Sequence, residues 1–158
     1  MHIVFSHGKE SGPWGGKICH LAEIAGELGC TVESLDYRQY SEIGQRVELL
    51  CDYLKDSQSP DPERVILVGS SMGACVSLAA AQQHQVAGLF LLAPAFGLFD
   101  ELIFDLPPVA IKTEVVHGWH DELIPAPSVF EWSKQRCWIC LLVNDGHRLL
   151  VSLSDIGR

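Results

Sequence analysis

Ser71 stands at the centre of Gly69-Ser70-Ser71-Met72-Gly73, a Gly-x-Ser-x-Gly pentapeptide between the apolar run Val65–Val68 and a stretch of small and apolar residues. A serine hydroxyl becomes a nucleophile when a neighbouring base takes its proton. Histidine suits that work because imidazole titrates near neutrality, and a carboxylate behind it fixes the tautomer and stabilises the imidazolium. The sequence offers both. Asp121 lies in His117-Gly118-Trp119-His120-Asp121-Glu122-Leu123-Ile124-Pro125, and His147 in Asn144-Asp145-Gly146-His147-Arg148. Together Ser71, Asp121 and His147 supply nucleophile, orienting acid and general base, in the chain order of a serine held on a strand–turn–helix elbow. Ser70 is the rival nucleophile, but the motif centres on Ser71. Asp145 is the rival acid, and its adjacency to His147 turns it into the loop.

Acyl chemistry also needs backbone donors for the developing oxyanion. One is expected from the N–H of Met72, the residue after the nucleophile. The second is expected from the loop Ser6-His7-Gly8-Lys9-Glu10-Ser11-Gly12, where Gly8 lets the backbone bend close and the N–H of Lys9 is the candidate donor. The other reading of Gly8 is a simple chain turn. His7, Gly8, Trp14, Phe96, Phe99 and Trp119 are candidates for lining the substrate pocket, with Trp14 and Trp119 at its rim.

These residues must be positioned by regular elements, and the pattern alternates throughout. Short β-rich runs are expected at His2–Ser6, Thr31–Leu35, Val65–Val68, Val86–Ala93, Thr113–His117 and Trp138–Val143. Helical stripes are expected at Gly16–Leu28, Ser41–Leu54, Met72–His84 and Pro127–Arg136, with a short final helix over Arg148–Leu153. Strands separated by helices imply right-handed crossovers and a mostly parallel sheet covered on both faces, a three-layer α/β/α sandwich. Ligands of such sheets gather at the carboxyl ends of the strands. Ser71, Asp121 and His147 each follow a predicted strand, so all three fall on one sheet edge.

Size and charge narrow the classes. At 158 residues the chain fits one domain with a sizeable core. A net charge of −9 argues against a nucleic-acid partner, which needs clustered Lys and Arg. No apolar stretch approaches a membrane span, and the N-terminal MHIVFSHG lacks a cationic lead, so a cytoplasmic location is expected. The six cysteines are then expected to be reduced core thiols. Cys137-x-x-Cys140 has redox spacing, yet it opens a strand-like run rather than a helix. Gly12–Ile18 resembles a phosphate loop one residue short, with Ile18 in place of the hydroxyl residue and Pro13 removing a donor. His117 and His120 lack helical i, i+4 register, so no metal site is expected with Asp121.

On His7-Gly8, Gly69-x-Ser71-x-Gly73, Asp121 within HGWHDELIP and Gly146-His147, the chain resembles the α/β-hydrolase superfamily along essentially its whole length. It is most similar to compact bacterial members, and to the retinoblastoma-binding-protein-nine type, that have little or no cap domain. The resemblance implies a serine hydrolase that needs no cofactor, acting on a small-molecule ester or thioester. It departs from the family in lacking the first two strands, so a reduced sheet of six parallel strands in the order 2-1-3-4-5-6 is expected. A short apolar insert at about 95–111, with Phe96, Leu98, Phe99, Leu102, Ile103 and Phe104, replaces the cap. Those residues either pack in the core or line an apolar pocket beside Ser71. Acyl transfer by the same triad and a non-catalytic binding role remain as alternatives. Two sheet edges leave room for a homodimer.

Overall fold

A computed structural model of the chain describes residues 1–99 and 110–156. Its six strands are β1 (His2–Ser6), β2 (Thr31–Leu35), β3 (Val65–Ser70), β4 (Gly88–Leu92), β5 (Thr113–Gly118) and β6 (Ile139–Val143). They form one sheet in the order β2-β1-β3-β4-β5-β6, and every neighbouring pair is parallel. The helices are α1 (Gly16–Glu27), α2 (Ile43–Lys55), α3 (Met72–Ala81) and α4 (Ala126–Gln135). Class, order and the strand–helix alternation agree with the sequence; element ends differ by a few residues.

The near-continuous apolar strands are explained by burial on both faces. Val4, Leu67, Leu89, Leu91 and Val115 point to one core, which they share with α2, α3 and α4. Their alternates Phe5, Val68, Leu92 and Val116 point to a second core with Ile18 and Leu21 of α1. Leu149 and Ile156 from the C-terminal segment complete that second core. Helix α3 is buried at every residue, which fits its uniformly small and apolar composition. At the edge, Ile139 and Leu141 of β6 are exposed. Among the described residues no helix is long and apolar enough to cross a membrane.

Two expectations change, and a third falls partly outside the described residues. Arg148–Leu153 does not form a helix: Leu149 takes a positive φ of 53°, and a 3₁₀ turn follows at Leu153–Asp155. The carboxylate of Asp145 explains this, because it accepts the N–H groups of Val151 and Ser152 at 2.7 and 2.8 Å and holds the segment as a loop curled around it. The cysteines are not all core thiols. Cys51 and Cys75 are buried, Cys19 and Cys137 are exposed, and all six are free. The apolar insert is only partly within reach: Leu102, Ile103 and Phe104 lie outside the described residues, and Leu98 is exposed.

The turn from β3 into α3 depends on two absent side chains. A Cβ on Gly73 would lie 2.0 Å from the carbonyl oxygen of Ser6, and one on Gly69 would lie 2.4 Å from that of Gly73. Both neighbours are backbone, so neither can step aside cheaply. Gly73→Ala is therefore expected to cost about 3 kcal/mol or more, the upper part of the overpacking range. Gly26→Ala, in α1 with open space around it, should instead stabilise by about 0.5 kcal/mol. Urea unfolding of the two variants checks the opposite signs.

Candidate active site

Ser71 occupies the single residue between β3 and α3 with φ 56° and ψ −118°, a conformation L-residues rarely adopt. The strain is held by backbone bonds. Ser71 N–H donates to Leu92 O at 2.9 Å, and Ser71 O accepts from Ala74 and Ala95 N–H at 3.1 and 3.3 Å. Ends of β4 and α3 thus grip the elbow from two sides.

The strand ends bring the other two residues to it. The β5 and β6 loops interlock because Gly118 has no Cβ; one there would lie 2.3 Å from Asp145 O. Trp119 N–H donates to Val143 O and His120 N–H to Asp145 O. In the resulting geometry His147 Nε2 is 2.9 Å from Ser71 Oγ, and His147 Nδ1 is 2.7 Å from Asp121 Oδ2. The Asp121 side chain is fully buried, and its Oδ1 accepts the N–H groups of Leu123 and Ile124 at 2.9 and 2.8 Å. That fixes the carboxylate and leaves Oδ2 for His147. Nδ1 then carries the imidazole proton, and Nε2 faces Ser71 as an acceptor. Such a chain can deprotonate a serine hydroxyl.

Asp145 takes a different part. Its three N–H bonds, from Gly146, Val151 and Ser152, outweigh desolvation and hold its carboxyl below the ordinary range. It braces the loop that carries His147. Ser70 ends β3 in a buried position, away from the tip of the turn. His117 donates Nε2–H to Ile124 O at 3.0 Å, and His120 contacts Asn144 Oδ1 at 2.9 Å, so each is committed elsewhere.

Met72 heads α3, so its N–H is one of the first-turn donors that lack an intrahelical partner. Gly8 brings the β1 loop against Ser71: its Cβ position would be 3.4 Å from Ser71 Cβ. Lys9 follows, exposed. Trp14 and Trp119 are about half exposed, as rim residues would be. Phe96 is instead turned into the core, stacked on Trp132 at a centroid distance of 5.1 Å, and Phe99 packs on the same cluster. His7 corrects the pocket assignment most clearly. Its ring is fully buried, Nε2 accepts Tyr37 N–H at 2.9 Å, and Nδ1 therefore donates to Gly8 O at 2.7 Å. The ring is a brace beneath the loop, with no nitrogen left for a ligand.

Two residues near the site, Lys17 and Arg46, escaped sequence reasoning, and the part played by His117 did too. Lys17 is brought down to about 8 by burial, opposed by Asp121 and Asp145. His117 Nε2 lies 3.4 Å from Asp121 Oδ2. Arg46 lies beneath the β1 loop. No motif marks Lys17 or Arg46, and His117, weighed in the sequence only as a metal ligand, is found beside Asp121 instead.

Burial lowers the pKa of both His7 and His117. Each is neutral when folded and takes up a proton on unfolding, so its contribution is intact above about pH 6.5, the unperturbed value, and erodes below it. The unfolding free energy is expected to fall as pH drops from 7 to 5. His117→Gln should flatten that slope in urea titrations; an unchanged slope would contradict neutral burial.

The chain is similar to known proteins over nearly its whole length. The model of the "Alpha/beta hydrolase family" matches residues 3–151. A solved α/β-superfamily structure from Xanthomonas campestris pv. campestris is 32% identical, with TM-score 0.87 over 99% of this chain and 94% of that one. Est1E from Butyrivibrio proteoclasticus, also solved with ferulic acid bound, is 18% identical, with TM-score 0.80 over 99% and 83%. A serine hydrolase without a lid from Xanthomonas campestris is 22% identical, with TM-score 0.77 over 99% and 77%. No curated protein matches the sequence. The family model over residues 3–151 and the 32% identical structure over 99% of the chain agree: the chain belongs to the α/β-hydrolase family.

Proposed function

We propose that the protein is a serine hydrolase that cleaves a small carboxylic ester or thioester through an acyl-enzyme on Ser71. The unbroken hydrogen-bond chain from Ser71 through His147 to Asp121 carries this reading. As Ser71 Oγ attacks the carbonyl carbon, His147 Nε2 takes its proton, and Asp121 Oδ2 stabilises the imidazolium. The carbonyl oxygen, now an oxyanion, is held by the N–H groups of Met72 and Lys9. His147 then passes the proton to the leaving alkoxide or thiolate, and the acyl group remains on Ser71. Water enters, gives its proton to His147 while attacking the acyl carbon, and Ser71 leaves with that proton restored. No step calls for a cofactor.

The family's lidless member and the ferulic acid held by Est1E support a small carboxylic ester as substrate class. Trp14 and Trp119, exposed beside the strand ends, supply flat apolar surface suited to such a group.

A fluorophosphonate probe is expected to label the wild type and to spare Ser71→Ala; a folded wild type that stays unlabelled would sink the reading. Asp121→Asn should cut kcat on p-nitrophenyl acetate by about 10,000-fold, because the imidazole loses its orienting charge. Asp145→Asn, which only braces the loop, should cost far less.

A further inference from the structure

The guanidinium of Arg46, on α2, is buried directly under the loop that carries the second oxyanion donor. The residue is 2% exposed. Its Nε donates to Tyr40 O at 2.9 Å, and its Cζ lies 5.6 Å from the centre of the Tyr37 ring. Nη1 reaches the carbonyls of His7 and Gly8 at 3.5 and 3.4 Å. Among the described residues no carboxylate pairs with it. A desolvated cation without a counter-ion is costly, and here carbonyl oxygens and the Tyr37 ring answer it.

The Gly8 carbonyl is the point of convergence. It accepts from His7 Nδ1 at 2.7 Å, and Arg46 Nη1 and Ser11 Oγ approach at 3.4 and 3.5 Å. No peptide bond in the described chain is cis. In a trans peptide the C=O and the following N–H point in opposite directions. Donors that draw Gly8 O inward therefore favour an outward Lys9 N–H, on a loop whose Gly8 abuts Ser71. A positive charge on the carbonyl side also polarises the amide, which strengthens its N–H as a donor.

We infer that Arg46 is a positioning residue of the oxyanion hole, acting through the Gly8 carbonyl to aim and polarise the Lys9 N–H. The inference rests on the serine-hydrolase reading and assigns that site a buried electrostatic support. It predicts a loss in the transition state rather than in ground-state binding.

Arg46→Met removes the charge and keeps an unbranched side chain. Arg46→Lys keeps the charge but has no second nitrogen to hold Tyr40 O while reaching the His7 and Gly8 carbonyls. Each is compared with wild type for kcat and KM on p-nitrophenyl acetate, for inhibition by a trifluoromethyl ketone whose serine adduct carries an oxyanion, and for thermal midpoint. Arg46→Met is expected to lower kcat about tenfold or more with KM within about twofold, less than the 100–1000-fold of losing a donor outright. The ketone should weaken by a similar factor, and Arg46→Lys should fall between. Should Arg46→Met fail to fold, Arg46→Lys carries the same readouts. A lowered midpoint with wild-type kcat and ketone affinity would mean a purely structural residue and overturn the inference alone. A wild type that resists fluorophosphonate would remove the nucleophile reading and this inference with it.

Discussion

The close approach of α3 to the end of β1 is the constraint from which the rest of the site follows. Gly73 sits with no room for a methyl group against the carbonyl of Ser6. To bring the helix that near, the chain must reverse within one residue, and Ser71 takes φ 56° to do it. Such a backbone costs about 1–3 kcal/mol and persists only when its surroundings over-determine it. Here they do: Leu92 O and Ala95 N–H hold Ser71 on the β4 side, and the fully buried α3 holds it from the other. The strained turn leaves Ser71 at the tip, where a neighbouring strand end can reach its hydroxyl.

A second close approach supplies that neighbour. Gly118 lets the β6 loop settle onto the end of β5, so that His147 lies between Ser71 and Asp121. Asp145 keeps that loop closed by spending its carboxylate on three backbone N–H groups. Both approaches are backbone-to-backbone contacts between loops of different strands. The chemistry of the side chains depends on packing that a larger residue at two glycines would undo. Beneath the β1 loop the support is polar instead: His7 and Arg46 converge on the Gly8 carbonyl, and Tyr37 N–H holds the His7 ring.

The six strands, four of the five expected helices and the three strand-end residues were legible because each leaves a local pattern; the sheet order came with the family resemblance. Val65–Val68 running into Gly69-x-Ser71-x-Gly73 marks a strand, a sharp turn and a helix within a dozen residues. His7 shows where local reading stops. Its type and position beside Gly8 suggest a ligand contact, but its role is set by Tyr37, thirty residues away in sequence. Arg46 did leave a trace: it shares a helical stripe with Leu50 and Leu54, a charge among core positions. The partners that explain it, Tyr40 O and the His7 and Gly8 carbonyls, are main-chain atoms and carry no signature of residue type. Phe96 went the same way, since an apolar insert reads alike whether it faces a pocket or, as it does, Trp132.

The central claim is that Ser71 carries the acyl group during turnover. Rapid quenching of the enzyme with p-nitrophenyl acetate, followed by peptide mass spectrometry, tests it directly. The account predicts a burst of nitrophenol together with one acetyl group on the peptide containing Ser71, absent from Ser71→Ala. A burst with the acetyl group on another residue, or turnover that survives in Ser71→Ala, would contradict it.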